Sequence, residues 1–402
     1  MKILVHDYAG HPFQVQLSRE LASRGHDVRH AYAGGLQTPR GELQKRANDP
    51  SSFDSFEVPM NENYAEFKYS FVKRRSMEVE YGATAGKMIR EWKPELVISA
   101  NTPTESQTGI LAASQEVGAQ FIYWCQDFYS IAVDKLVRKK IPIVGKFIGN
   151  YYKGLDRKHL QATDHVVAIT EDFKPIMVDD FGVEPKKVSV IPNWAPLESL
   201  PVEAKENEWA CEQGLVGKFV VLYTGTLGMK HNPNLLLGVA ERFKENDDVR
   251  VVVISEGMGS DWLKEQREAK GLKHLILLGY QPFDKLPQVL ASGDVLTGVL
   301  EEDAGVFSVP SKVLTYLCAK KPILLAVPEV NLAARIIREE EAGLTVGPAD
   351  EAGFWNAAEV LYKDRELCEK MAGKARAYAE ETFDVVRIGD RFEEILGQLE
   401  NK

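Results

Sequence analysis

Cysteine is scarce in this chain: Cys125, Cys211, Cys318 and Cys368 are scattered over 402 residues and none forms a C-x-x-C pair. That spacing argues against a disulfide framework or a thiolate metal cage and fits a reducing cytoplasm. No apolar run approaches the roughly 18 residues needed to span a bilayer. The opening MKILVHDYAG meets acidic and turn residues after a few apolar ones, as a buried first strand does and a signal peptide does not. Positive charge is in deficit, 49 Lys and Arg against 59 Asp and Glu, which argues against general nucleic-acid binding. Also missing are any repeat with a period of about 20–50 residues, any low-complexity tract and any Asp-x-Asp pair of the kind that holds a metal–nucleotide complex.

What is present is an alternation of strand-like and helix-like segments, the pattern of stacked βα units on parallel sheets. KILVH (2–6), a helical stripe over 13–25 capped by Gly25, and DVRHAYA (27–33) open the series. ELVISA (95–100), AQFIYWC (119–125), HVVAIT (165–170) and VSVIP (188–192) continue it. The stretch 193–210, rich in proline and carboxylates without periodicity, predicts a linker. A second series follows: FVVLYTG (219–225), VRVVVIS (249–255), HLILLG (274–279), DVLTGVL (294–300), PILLAV (322–327) and LTVG (344–347), with helices over 233–245, 285–292 and 330–339. The expected organisation is an α/β chain of two doubly wound domains, 1–192 and 211–380. Residues 381–402 form a final helix, whose Ile388, Phe392, Ile395 and Leu396 recur at helical spacing and need a partner surface.

In open α/β sheets ligands bind beyond the carboxyl ends of strands, at helix starts that favour anions. Three turns of the second series fit. YTGTLGMKHNPNLLL (223–237) joins Gly225, Thr226, Gly228 and Lys230 to a helix; the alternative is a tight turn with a solvated lysine. ISEGMGSDWL (254–263) carries Glu256, either an acceptor for sugar or base hydroxyls or a surface carboxylate. FSVPSKVLTYLCAKKPIL (307–324) sets Ser311 and Lys312 at a helix start, where a lysine opposes the helix dipole by a few tenths of a kcal/mol unless an anion sits there. After LLG (277–279), Tyr280 and Gln281 can flank a ring and meet its edge, or simply form a loop.

Together and in this order, HDYAGHPFQVQLSRELASRGHDV, VVAITEDFK, VIPNW, YTGTLGMKHNPNLL, LLGYQPFDKLPQVLASGDV and VPSKVLTYLCAKKPIL resemble the GT-B nucleotide-sugar glycosyltransferases of retaining family 4. The resemblance runs along essentially the whole chain and is nearest to the branch that assembles bacterial surface polysaccharides. It implies a GT-B fold, two Rossmann-like domains facing a cleft, with the donor against the C-terminal domain and the acceptor against the N-terminal one. It carries Gly225, Thr226 and Lys230 onto the turn at the donor diphosphate, and Ser311, Lys312 and Val313 onto the helix start at the same group. Tyr280 and Gln281 fall on the base-reading loop, Gly10 and His11 on the first loop at the reaction centre, and Gln126 and Asp127 near the transferred sugar. The chain departs from the pattern where two glutamates seven residues apart are usual: Phe307 and Thr315 stand there, with Glu301, Glu302 or Asp303 as substitutes for the first. Thr226 replaces an arginine and Lys320 a glycine.

The resulting expectation is transfer of a sugar from a UDP or GDP sugar to a hydroxyl of a glycan or polyprenyl-linked acceptor, with retention and with no metal or other cofactor. Lys230 and Lys312 suit the leaving phosphate, and Asp127 is the candidate base or sugar-orienting group. The acidic EED at 301–303 has metal potential but suits a solvated loop better. A nucleotide-sugar sensor without catalysis and a nucleotide-sugar epimerase are the rival readings. Residues 133–158 carry eight Lys and Arg against Asp134 and Asp156, interleaved with apolar residues. Such a segment docks on anionic lipid, at the inner face of the cell membrane, or else buries its apolar face in the domain.

Overall fold

In the computed structural model, residues 1–35, 42–61, 64, 67, 70–100, 102–302 and 311–400 are described, except for the side chains of Phe71 and Lys230. Phe307, Asp303 and the rest of 303–310 lie outside them. The chain forms two compact units, Met1–Asn193 with Val385–Lys402, and Trp194–Asp384.

The first unit is a seven-stranded parallel sheet in the order β3-β2-β1-β4-β5-β6-β7. Its strands are β1 (Lys2–Asp7), β2 (Asp27–Ala33), β3 (Phe53–Val58), β4 (Leu96–Ala100), β5 (Gln120–Cys125), β6 (His165–Ala168) and β7 (Val188–Val190). The central strands are apolar along their whole length because helices cover both faces of a parallel sheet; every residue of β4, Leu96–Ala100, is buried. Helices Phe71–Trp92 and Thr104–Glu116 cross so closely that a Cβ on Gly82 would meet the Ser106 carbonyl oxygen at 2.7 Å. The helix Val385–Glu400 completes this unit: Phe392 stacks edge-on to Trp124 at 5.2 Å, His26 meets Glu393 at 2.9 Å, and Gln120 donates to the Leu399 carbonyl at 2.9 Å.

The second unit is a six-stranded parallel sheet in the order β10-β9-β8-β11-β12-β13. It comprises β8 (Phe219–Thr224), β9 (Val249–Ile254), β10 (Leu275–Leu278), β11 (Val295–Val299), β12 (Ile323–Ala326) and β13 (Gly343–Val346). Trp194 and Trp209, from the stretch before β8, are buried within this unit. The order reverses between β8 and β11, so the topological switch point opens beyond their carboxyl ends. Lys320, standing where the related pattern has glycine, holds φ 55° just after the helix Ser311–Cys318. A side chain in that left-handed conformation costs about 1 kcal/mol.

Candidate functional site

The second unit's site begins with a buried strand that ends abruptly. Gly225 follows β8 at φ 111°, a conformation that L side chains rarely adopt, and its amide donates to the Ile254 carbonyl at 3.0 Å. A Cβ there would lie 3.0 Å from Lys312 Nζ and would crowd the end of the lysine. Lys312 enters from the start of the helix Ser311–Cys318, lies 4.1 Å over the Tyr223 ring and donates to the Tyr223 hydroxyl at 3.0 Å. Among the described residues it has no carboxylate partner. Desolvation pulls its pKa down to about 8, because the surrounding protein offers the ammonium little to replace water.

A chain of polar contacts runs outward from this lysine. The Tyr223 hydroxyl donates to the Thr226 carbonyl at 2.8 Å, and Thr226 Oγ1 meets the Tyr280 hydroxyl at 2.9 Å. The Tyr280 amide reaches Glu256 Oε1 at 3.5 Å. The structure therefore gathers Gly225, Thr226, Glu256, Tyr280 and Lys312 at the carboxyl ends of three neighbouring strands, with Tyr280 and Glu256 exposed. Gln281 is tied back instead, donating to the Gly279 carbonyl at 3.0 Å and accepting from Trp209 Nε1 at 3.0 Å. The Val313 side chain is wholly buried, leaving only its backbone at the helix start, while Ser311 is exposed. Thr315 Oγ1 turns back to the Ser311 carbonyl at 3.5 Å. The glycine turn puts Lys230 in a short 3-10 helix, Met229–His231, where His231 Nδ1 accepts from the Gly228 amide at 3.0 Å.

Two tyrosines that the sequence offers only as core residues hold this arrangement. Tyr223 seats Lys312, and Tyr316 anchors the strand end through contacts with the Thr224 amide at 3.1 Å and Thr224 Oγ1 at 3.0 Å. Both lie inside apolar runs, and only the registry of strand against helix reveals their hydroxyls. Tyr316→Phe leaves the Thr224 amide short of a partner and should lower stability by about 1–2 kcal/mol in urea unfolding.

The first unit carries its own polar cluster beyond β1. Gly10, at φ 74°, turns the chain so that the amides of Ala9 and His11 both donate to the buried Asp7 carboxylate. With its amide nitrogen turned toward the carboxylate, Gln14 donates to both Asp7 oxygens at 2.6 Å. Burial pushes the Asp7 carboxyl up, but its bonds and proximity to His11 outweigh that and hold it below the usual range. Asp7 thus positions His11, a role marked in the sequence only by a carboxylate ending an apolar strand. After β5, Gln126 accepts from Asn193 Nδ2. Asp127 is exposed at the strand end, and its carboxylate has no hydrogen-bond or ion-pair partner among the described residues. Partial desolvation by the surrounding protein moves its pKa upward.

Comparison with known proteins bears on the family and the fold. Residues 13–199 match the family described as Glycosyltransferase Family 4, and residues 206–378 match Glycosyl transferases group 1, so the two take in most of the chain. The Escherichia coli UDP-Gal:alpha-D-GlcNAc-diphosphoundecaprenol alpha-1,3-galactosyltransferase is 23% identical over 322 residues, 77% of this chain and 76% of its own length. The Campylobacter jejuni N-acetylgalactosamine-N,N'-diacetylbacillosaminyl-diphospho-undecaprenol 4-alpha-N-acetylgalactosaminyltransferase is 26% identical, over 55% of this chain and 57% of its own. The crystal structure of Anabaena HepE in complex with UDP superposes with a TM-score of 0.71 at 16% identity, covering 99% of this chain and 100% of that one.

Proposed function

This chain belongs to the GT-B glycosyltransferases, and from that premise we propose that it transfers a hexosyl or N-acetylhexosaminyl group from a nucleoside diphosphate sugar to a hydroxyl of a lipid-linked glycan. The observation that carries this reading is Lys312, a desolvated cation at a helix start with no carboxylate partner among the described residues. A diphosphate is the ligand whose charge suits such a site. The acceptor class is supported by the two relatives, whose names specify diphosphoundecaprenol-linked acceptors, and UDP-Gal in the first name makes UDP sugars the first donors to test before GDP sugars.

Cleavage of the sugar–phosphate bond builds negative charge on the leaving nucleoside diphosphate while the anomeric carbon becomes cation-like. Lys312, with the amides at the start of Ser311–Cys318, answers that charge without a metal ion. Lys230 supplies the second cation from the glycine turn. Tyr280 flanks the base, Glu256 accepts hydroxyl hydrogen bonds from the donor, and Thr226 braces Tyr280. In the first unit, Gly10 and His11 form the acceptor loop, and Gln126 and Asp127 orient the transferred sugar. The acceptor hydroxyl attacks the face that the phosphate is leaving. Its oxygen bonds to the anomeric carbon, the carbon–phosphate oxygen bond breaks, and that phosphate oxygen takes the hydroxyl proton. The configuration at the anomeric carbon is retained.

A thermal-shift screen of nucleotides, followed by transfer from the binding donor to a polyprenyl-diphosphate-linked sugar, tests the reading. Product formation is expected only with acceptor present, and the new anomeric linkage should match that of the donor. Nucleotide binding with no transfer to any acceptor would identify a sensor, and acceptor-independent conversion of the donor sugar would identify an epimerase. Asp127→Asn should leave the nucleotide thermal shift intact while lowering transfer by about 100-fold, since it removes the carboxylate that orients the transferred sugar.

A further inference from the structure

The helix Pro142–Ala162 folds back along the helix Tyr129–Lys140, and small residues lock the pair. A Cβ on Gly145 would run into the Val137 carbonyl oxygen, and one on Gly149 into Asp134 Oδ1. With Gly145 and Gly149 turned inward, Ile143, Val144 and Phe147 are forced onto the opposite face. They are not core: Ile143 is 80% exposed and Phe147 74% exposed, and Val144, Ile141 and Leu136 around the turn are exposed as well.

The charge on this hairpin is also sorted. Arg138 and Lys153 both bind Asp134, and Arg157 donates to the Asp180 carbonyl. Lys139, Lys140 and Lys146 are exposed, with no ion pair among the described residues, and they border the apolar tip. No carboxylate lies in the sequence between Asp134 and Asp156 to offset them. The rim continues onto the neighbouring helix, where Arg75 Nη2 donates to the Tyr151 hydroxyl at 3.1 Å and Val72 is 77% exposed.

We propose that this hairpin tip is a membrane-docking surface, seated in an anionic bilayer with Ile143, Val144 and Phe147 at the acyl boundary and Lys139, Lys140 and Lys146 among the lipid phosphates. Exposed apolar side chains bordered by lysines, with no carboxylate among them, match an anionic bilayer in both polarity and charge. The inference does not depend on which sugar the chain transfers.

Co-sedimentation with vesicles of phosphatidylcholine containing about a third phosphatidylglycerol tests it. The wild-type chain should bind these vesicles and leave pure phosphatidylcholine vesicles largely unbound. Combined Lys139→Glu, Lys140→Glu and Lys146→Glu should weaken binding by at least about 100-fold, since three cations at an anionic surface are replaced by three anions. Arg138→Glu alone should act chiefly through the lost pair with Asp134, seen as a lower melting temperature. Ile143→Ser with Phe147→Ser should reduce binding at least tenfold and leave the melting temperature unchanged, because neither side chain is buried. Equal sedimentation of wild type and both combined variants would overturn the proposal. So would concentration-dependent self-association that Ile143→Ser and Phe147→Ser abolish without any vesicle binding, which would make the occupant a second copy of the chain. Transfer to a soluble short-chain acceptor should be unchanged in these variants, which separates a failed surface from a failed transferase.

Discussion

Lys312→Met should melt at a higher temperature than the wild-type chain when free and should lose its response to nucleotides. The amine sits against the Tyr223 ring and hydroxyl with no carboxylate partner among the described residues, so its charge is poorly solvated in the free protein. Removing it relieves about 1–2 kcal/mol, a rise of several degrees for a unit of this size. The same change deletes a charge-assisted contact to the donor diphosphate, which contributes about 2–3 kcal/mol, or roughly 30- to 150-fold in affinity. Transfer should fall at least as far, because charge grows on that phosphate as the bond breaks. The pH dependence has a definite sign. The folded-state pKa of about 8 lies below the ordinary lysine value, so the unfolded chain holds this proton more tightly. Stability therefore rises as pH increases from about 8 toward the ordinary lysine range, and the advantage of the methionine variant disappears over the same interval. Nucleotide binding runs the other way: it is strongest below pH 8 and weakens above it as the free protein loses the proton that the bound form retains. Scanning calorimetry and titration calorimetry at a series of pH values measure both. A methionine variant that melts lower and binds nucleotide normally would remove Lys312 from the site.

Gly82→Val should destabilise the first unit by about 3 kcal/mol, at the upper end of what overpacking a packed interior costs. The helices Phe71–Trp92 and Thr104–Glu116 touch backbone to backbone at this point. A Cβ on Gly82 would lie 2.7 Å from the Ser106 oxygen, and one on Gly109 would lie 2.7 Å from the Gly82 carbonyl carbon. Neither neighbour is a flexible side-chain end, so the helices must separate. They would then break the Ser106 hydroxyl bond to the Glu78 carbonyl at 2.7 Å and loosen the Arg75–Glu105 pair that braces the hairpin side. Gly373→Ala supplies the contrast: it lies inside the helix Arg365–Thr382 with nothing within 4 Å of the added methyl, and should stabilise by about 0.5–1 kcal/mol. Urea unfolding of both variants decides the matter. A Gly82→Val midpoint within error of wild type would mean that the two helices are not in contact.

The readable parts of the chain were those where one short segment carries its own reason. β8 is apolar up to its closing threonine and breaks at a glycine, and a lysine at a helix start has an electrostatic oddity visible in one dimension. β3 gave no such sign: in FDSFEV only Phe53 and Val58 are buried, because an edge strand needs to present little to the core. The helix Phe71–Trp92 hid for another reason. Part of its packing surface is Gly82, Ala85 and Gly86, and hydrophobic periodicity does not register a contact made by backbone. The roles of Tyr223 and Tyr316 depend on partners about 90 residues away, as with the Thr224 contact at a separation of 92, and no local pattern contains them. On the basic hairpin, composition counted Arg138 and Lys153 equally with Lys139 and Lys146, although Asp134 neutralises the first two.

The helix Val385–Glu400 has a consequence for synthesis. The first unit encloses Trp124 with Phe392 and ties its first helix through Arg24 to Asp390, a contact spanning 366 residues. On the ribosome, the sheet built from residues 2–190 must therefore wait, with the Trp124 side of its core uncovered, while the whole of Trp194–Asp384 is made. The contiguous second unit can close before the first one does, although it is translated later. The nascent chain thus carries an unfinished apolar face for nearly half of its elongation, which is the interval in which a holding chaperone would have its strongest hold on this protein.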